Sequence, residues 1–266
     1  MAFLHTGIVS LLSDLGLRDP SVGIIKGNIL SRCREATIVD LCHWVPVQDV
    51  TWASYALWGS YKHFPPGTVH CAIVDPRGGN QGKILCAETA GHVFVASDNG
   101  VLTNILNEGA RAYAVDLERV PVAPIRHSWH TRDIIAPVAA LVASGKLSPA
   151  EVGPPEEEPL LLDFAETVRS DTSVSGGIVG EDRFGNLFTS LTETDLPDEL
   201  HHHDYVAEFA DQSVRLVTSY RDVEPGALLA LFNSFGLLEI AIRNGRASES
   251  IDWSRGTPVN VRLQDG

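Results

Sequence analysis

Short apolar segments alternate with longer segments of helical periodicity through the first half of the chain. The apolar segments GIVSLL, ATIVDLC, GTVHCAIVD, HVFVAS and ARAYAVDL have the length and composition of buried strands. Helix-like segments lie between or after them, at PSVGIIKGNILSR, VTWASYALWGSYKHF and residues 101–108 and 133–144. This alternation predicts an α/β domain with a largely parallel central sheet over residues 1–150.

The pattern changes after this domain. The segment GKLSPAEVGPPEEEPL is dense in proline, glutamate and glycine, a composition typical of linkers, and we place a linker at residues 151–170. Beyond it, SGGIVGEDRFGNLFTSL, SVRLVTSY, ALLALFNSFGLLEIAI and TPVNVRL indicate short strands separated by turns. We therefore expect a smaller, β-barrel-like C-terminal domain over residues 171–266.

Composition and charge exclude several classes of function. Hydrophobic residues make up 44% of the 266 residues and charged residues 20%, as in ordinary globular proteins, and no apolar stretch is long enough to span a membrane. A formal charge of −14 argues against a nucleic-acid partner, which needs a basic surface, and is compatible with a cationic small molecule. Neither a P-loop nor a GxGxxG motif is present, so nucleotide cofactors have no motif to support them.

The cysteines and histidines do not indicate a metal site. Cys33, Cys42, Cys71 and Cys86 lack both CxxC spacing and the density of a disulfide scaffold, so we expect reduced thiols and a cytoplasmic protein. The run HHHD at 201–204 resembles a metal-binding cluster, but consecutive side chains diverge in direction on a helix or strand. No metal is expected.

Polar residues at the ends of predicted strands are the first candidates for a site. Asp14 and Asp75 each follow an apolar run, and ligands of open α/β sheets collect at the carboxyl ends of strands, although such aspartates often serve only as caps or turn residues. His130 lies immediately before the helix IIAPVAALVASG, where it is placed either to act as a base and orient a water molecule or simply to cap the helix.

Taken together, seven segments of the chain resemble the S-adenosylmethionine hydroxide adenosyltransferase family, whose relatives include the fluorinase and the chlorinase. They occur in the family order: LLSDLGLRDPSVGIIKGNIL, IVDLCHWVP, FPPGTVHCAIVDP, SDNGVLT, HTRDIIAPVAALVASG, EDRFGNLFTSL and NSFGLLEIA. The resemblance implies cleavage of S-adenosylmethionine at its 5′ carbon, giving adenosine and L-methionine, with no cofactor. It also implies a homotrimer whose sites lie between the N-terminal domain of one subunit and the C-terminal domain of the next.

The resemblance implies a role for residues in both domains. Asp14 is expected to hold the ribose hydroxyls, and a carboxylate suits a vicinal diol because it can accept two hydrogen bonds. Trp129 is expected beside the ribose and adenine, and Thr131 near the 5′ carbon. In the C-terminal domain, three polar residues match positions that hold the methionine end and one aromatic residue offers a flat face. These are Asp182, Asn186 and Ser234, and Phe184.

The nucleophile is expected to be water rather than halide. By resemblance, hydroxide-transferring members pair the aspartate at Asp75 with a histidine, matched by His130, and with an arginine. The arginine position here is Gly82, so a nearby cation, Lys83 or Arg77, is the expected replacement. Thr131 is a second position, after Gly82, at which the chain differs from the family pattern, because hydroxide-transferring members usually carry glycine there. The short connection GKILCAETAGHVF lacks the inserted loop of the fluorinase.

Two alternatives remain open at the level of sequence. One is halide transfer to the same carbon, and the other is a non-catalytic protein that binds S-adenosylmethionine or adenosine. Binding without formation of adenosine would distinguish the second from an enzyme.

Overall fold

The chain forms two compact units, Met1–Leu162 and Asp163–Gly266. A computed structural model describes residues 4–76, 79–80, 82–122, 131–163, 167–196 and 205–263. The boundary between the units falls inside the segment expected to be a linker.

The first unit is built on a six-stranded sheet with the order β2-β1-β3-β5-β4-β6. Its strands are β1 (Ile8–Ser13), β2 (Thr37–Cys42), β3 (Val69–Ile73), β4 (Ile84–Thr89), β5 (His92–Ser97) and β6 (Arg111–Ala114). β1, β2, β3 and β5 pair in parallel, whereas β4 is antiparallel to both of its neighbours. The predicted α/β domain with a largely parallel sheet is confirmed.

Helices cover both faces of this sheet. They are α1 (Ser21–Leu30), α2 (Val50–Tyr61), α3 (Thr103–Asn107) and α4 (Ala136–Ala143). Val9 and Leu11 of β1 pack in the core cluster of α1 and α4, while Leu12 packs in the cluster of α2 and α3. Because side chains alternate along a strand, a strand buried on both faces needs the near-continuous apolar sequence that β1 has.

Strand β4 lies in GKILCAETAGHVF, the segment expected to be a short connection. Residues Ala90 and Gly91 join β4 to β5 with φ of 49° and 81°, and Thr89 pairs with His92. A two-residue loop with positive φ at both positions is the turn that suits a hairpin. Without an NG or DG signal at this turn, the hairpin was not predicted.

The first part of the expected linker packs as part of the first unit. Main-chain hydrogen bonds join Ala114 to Pro154, Asp116 to Val152 and Glu156 to Ala112. Residues 152–156 of the expected linker are thus paired along β6, because such pairing uses main-chain groups and needs few apolar side chains.

The second unit is a strongly bent antiparallel sheet with the order β11-β10-β14-β8-β9-β13-β12, with β7 pairing β8. Its strands are β7 (Val168–Arg169), β8 (Ser173–Glu181), β9 (Leu187–Thr192), β10 (Tyr205–Phe209), β11 (Gln212–Arg215), β12 (Leu228–Phe232), β13 (Leu237–Ile242) and β14 (Pro258–Leu263), and α5 (Ala247–Ser250) follows β13. A bridge between Leu216 and Ala230 connects the two ends of the sheet. This nearly closed sheet confirms the predicted barrel-like domain.

Candidate functional site

The carboxyl edge of the parallel sheet brings together Asp14 and Asp75, which are 61 positions apart in sequence. Oδ2 of Asp14 accepts hydrogen bonds from the main-chain N–H groups of Gln48, at 2.9 Å, and Asp75, at 3.4 Å. Both hydrogen bonds that the described residues donate to Asp14 go to this one oxygen. The carboxylate therefore joins three loops, after β1, β2 and β3, while its Oδ1 accepts no hydrogen bond from the described residues.

The main chain on this edge adopts an unusual conformation at two positions. Gln48 has φ of 59° and Asp75 has φ of 39°, in the left-handed region that residues with a Cβ avoid. The side chain of Asn99, in the turn after β5, donates to the carbonyl groups of Val74 and Asp75 at 2.9 and 3.0 Å. Strained positions of this kind persist when surrounding contacts hold them, and they cluster at functional sites.

Gly82 and Lys83 are neighbours in the loop before β4, where Lys83 forms an ion pair and Gly82 has a left-handed main-chain conformation. The ammonium of Lys83 is 2.6 Å from Glu156 and 3.8 Å from Asp98, and hydrogen bonding to Glu156 raises the pKa of the lysine. These contacts direct Lys83 toward the 156 segment. Gly82 has φ of 76°, a conformation that glycine adopts without steric cost, so an arginine at this position would be strained.

Three of the predicted site residues, Arg77, Trp129 and His130, lie outside the described residues, as does the run 201–204. Thr131 begins a π-helical turn, Thr131–Ile135, that leads into α4. Its side chain is 1% exposed, and its hydroxyl has no hydrogen-bond partner among the described residues. The helix predicted at 133–144 therefore begins as a π-helical turn and is α-helical only from Ala136, and such irregular turns are frequent at functional sites.

In the second unit, Asp182 and Asn186 form one side-chain cluster in the turn between β8 and β9. Oδ1 of Asp182 accepts from the N–H groups of Phe184 and Asn186 at 2.8 and 2.9 Å, and Oδ2 accepts from Nδ2 of Asn186 at 3.0 Å. Three donors on one carboxylate fix the turn, so Asp182 is at least a structural residue there. The ring of Phe184 is left 73% exposed.

Beside this turn lies a pocket of about 620 Å³ within the second unit, lined by Phe184, Asn186, Tyr220, Ile242, Arg243 and Asn244 among others. Its volume lies within the range of small-molecule sites, although the pocket is open to solvent on one side. Ser234, predicted at the methionine end, is exposed in the turn between β12 and β13.

Glu239, which is not among the residues predicted from the sequence, links the pocket to the turn that carries Ser234. Although only 5% exposed, its carboxyl accepts from the hydroxyl of Tyr220 and, at 3.3 Å, from Nδ2 of Asn233. Asn233 in turn accepts from the N–H groups of Phe235 and Leu237. Burial raises the pKa of Glu239. The available signal was a single acidic residue within the apolar run LLEIAI.

Comparison with known proteins identifies the family. The model of the SAM hydroxide adenosyltransferase N-terminal domain matches residues 9–153, and that of the C-terminal domain matches residues 176–260. The chain therefore belongs to the SAM hydroxide adenosyltransferase family.

Relatives of known name support the same assignment. An (R)-S-adenosyl-L-methionine hydrolase from Thermus thermophilus is 33% identical over 95% of this chain and 98% of its own. The hydrolase from Salinispora arenicola is 29% identical over 95% and 97%. A fluorinase from Actinoplanes sp. is 30% identical but covers 71% of this chain and 73% of its own. The crystal structure of an uncharacterized conserved protein from Thermotoga maritima has a TM-score of 0.85 and 30% identity, covering 96% of this chain and 99% of the other.

Two further findings concern membranes and metals. No helix among the described residues is long and apolar enough to cross a membrane. Within those same residues, no group of three or more histidine, cysteine, aspartate or glutamate side chains is arranged to hold a metal ion. All four cysteines are free thiols, and burial raises the pKa of Cys71 to about 12.

Proposed function

We propose that this protein hydrolyses S-adenosyl-L-methionine at the 5′ carbon of its ribose. Water attacks the carbon in line with the sulfonium, the carbon–sulfur bond breaks, and the electron pair of that bond stays on sulfur. The products are adenosine, L-methionine and a proton. Because the sulfonium leaves as a neutral thioether, the reaction needs no general acid, and the enzyme's task is to position and activate water.

The contact between Asp14 and Asp75 is the observation that carries the proposal. The carboxylate expected to hold the ribose accepts a hydrogen bond from the main chain of the residue expected to orient the water. A nucleoside bound through its diol would therefore lie beside the Asp75 loop. Placement of two reactants in this way can supply about 7–11 kcal/mol of the barrier reduction.

Water activation is assigned to Asp75 together with His130 and a cation. Water has a pKa of about 15.7, so a base or a positive charge is needed near it at neutral pH. The ammonium of Lys83 is paired with Glu156 at 2.6 Å. That pairing favours Arg77, the other candidate, as the cation that takes the place of the family arginine.

The second unit supplies the remaining contacts. Its pocket has room for an adenine, and Phe184 on the lining offers an aromatic face. Asp182, Asn186 and Ser234 are assigned to the methionine end, where a carboxylate suits the α-ammonium group. Thr131 and Trp129 are assigned to the ribose and the 5′ carbon.

Because the assigned residues are divided between the two units, we infer that the active form is a homotrimer whose sites are shared between subunits, as the family resemblance implies. Mixing an Asp14→Asn variant with an Asn186→Ala variant under subunit exchange tests this. Shared sites should restore about a quarter of the wild-type activity, because random assembly pairs two intact halves at one site in four. Absence of recovery, with exchange verified by mass spectrometry, would contradict shared sites.

Binding and product formation, measured on the same sample, test whether the protein hydrolyses S-adenosylmethionine. Calorimetric titration with S-adenosylmethionine, followed by chromatography of the same solution, should show binding and then equal amounts of adenosine and methionine. Binding without product would instead support a non-catalytic binding protein. Formation of a 5′-halogenated adenosine in chloride or fluoride, with no adenosine in halide-free buffer, would support halide transfer.

The turnover of alanine variants tests which residues activate the water molecule. Asp75→Ala and His130→Ala should each lower turnover by about 100-fold or more while S-adenosylmethionine still binds. Arg77→Ala should produce a comparable fall, whereas Lys83→Ala should stay within about fivefold of wild type, as expected for loss of a partly exposed ion pair. A large fall for Lys83→Ala with an unchanged Arg77→Ala would reverse the assignment of the cation.

A further inference from the structure

The loop that carries Asp75 is held by side chains from the end of β5. Nδ2 of Asn99 donates to the carbonyl groups of Val74 and Asp75, at 2.9 and 3.0 Å. The hydroxyl of Ser97 donates to the next carbonyl, that of Pro76, at 3.2 Å. Three consecutive carbonyl groups are thus bound by two side chains, one at the end of the neighbouring parallel strand β5 and one in the turn after it.

These anchors act on a main chain that would otherwise relax. Asp75 has φ of 39°, and an unrestrained residue with a Cβ prefers negative φ. A change to negative φ would rotate the Cα–Cβ bond and turn the carboxylate in another direction. The N–H group of Asp75 is bound to Asp14 at a longer distance, 3.4 Å, so the carbonyl side carries the shorter contacts.

The carboxamide of Asn99 has a defined orientation. Its Oδ1 accepts from the N–H group of Val101 at 3.2 Å, and the residue is 5% exposed. Exchange of its oxygen and nitrogen would set the oxygen against two carbonyl groups and the amino group against an N–H donor. The side chain therefore holds one donor group toward the Asp75 loop and has no equivalent alternative.

We propose that Asn99 is a positioning residue, which sets the direction of the Asp75 carboxylate by fixing the main chain from Val74 to Asp75. The inference rests on the proposed function, in which Asp75 orients the attacking water. Asn99 does not itself touch the substrate in this scheme. Its removal should therefore impair the chemical step and leave nucleoside binding intact.

The Asn99→Asp variant tests this, because it keeps the shape of the side chain but replaces the donating amino group with an oxygen that faces two carbonyl groups. We expect kcat to fall by about 10- to 100-fold, since misplacement of a reacting group by about 1 Å can have an effect of this size. The Kd for adenosine should change by no more than about twofold. Asn104→Asp is the matched control, because Asn104 donates to Ser54 at 3.3 Å in the same unit and should leave both values unchanged.

A double variant separates positioning from general destabilisation. In the Asp75→Ala background the carboxylate is absent, so adding Asn99→Asp should lower the residual turnover by no more than about twofold. Independent, multiplicative effects of the two substitutions would overturn the proposal, as would an unchanged kcat in Asn99→Asp.

Thermal unfolding of each variant shows whether it is folded. If Asn99→Asp does not fold, Asn99→Ala, which removes the donor without setting an oxygen against the two carbonyl groups, should lower kcat with adenosine affinity retained, and an unchanged kcat there would overturn the proposal. Wild-type protein that forms no adenosine would contradict the proposed function itself. Turnover that depends on Asp75 but not on Asn99 would contradict this inference alone.

Discussion

Replacement of Asp14 tests whether its carboxylate binds the nucleoside as well as the loops. Oδ2 accepts from the N–H groups of Gln48 and Asp75, and Oδ1 is assigned to the ribose hydroxyls. In Asp14→Asn the amide oxygen can keep the two main-chain contacts, which leaves the amino group facing the ribose. A hydrogen bond to a charged acceptor is worth about 1.5–3 kcal/mol, so adenosine affinity should fall by about 10- to 150-fold.

Asp14→Ala separates the two roles. It also removes the acceptor of two main-chain donors, of which the Gln48 N–H is exposed to water, so the cost should be about 1 kcal/mol and Tm should fall by roughly 2–4 °C. Calorimetric titration with adenosine and scanning calorimetry measure the two effects. Asp116→Asn is the control, because Asp116 accepts from the N–H group of Glu118 at 2.9 Å and should leave adenosine affinity unchanged. Adenosine affinity in Asp14→Asn equal to that of wild type would refute the ribose assignment.

Two further predictions concern buried polar groups. Burial lowers the pKa of His70 to about 3, so the unfolded chain takes up a proton first as pH falls below about 6.5, and the unfolding free energy decreases from there toward pH 3. Between pH 7 and pH 5, the unfolding free energy of the wild type, measured in urea, should decrease by about 2 kcal/mol more than that of His70→Gln. Equal decreases in the two proteins would contradict the lowered pKa of His70. Tyr220→Phe removes the hydroxyl donor from the buried carboxyl of Glu239 and should destabilise the second unit by about 1–3 kcal/mol. Tyr113→Phe, whose acceptor is more exposed, should cost less in the same calorimetric assay, and the reverse order would show that the buried contact is not stabilising.

Much of the fold and part of the candidate site follow from local patterns. The continuous apolar runs of β1 and β3 predict strands buried on both faces, and parallel strands end at a common edge. That rule is why Asp14 and Asp75 were predicted to lie at one site although they are far apart in sequence. The order of the seven family segments added the residue roles, which spacing and periodicity alone do not supply.

Contacts between distant main-chain and side-chain groups could not be predicted in the same way. Lys83 pairs with Glu156 across 73 positions, and nothing local indicates which carboxylate a loop lysine will meet. The segment SDNGVLT carries part of the family resemblance, but it does not indicate that Asn99 binds two carbonyl groups of the loop after β3. Proline and glutamate around residue 155 suggested a linker, because composition reports side-chain burial and not main-chain pairing.

The most direct test of the proposed reaction is the origin of the 5′ oxygen of adenosine. S-adenosylmethionine should be turned over in oxygen-18-labelled water, and the products analysed by mass spectrometry with fragmentation of the nucleoside. Attack of water at the 5′ carbon predicts one oxygen-18 atom in adenosine, retained on the ribose fragment, and unlabelled methionine. Unlabelled adenosine, or label found in methionine, would contradict the account.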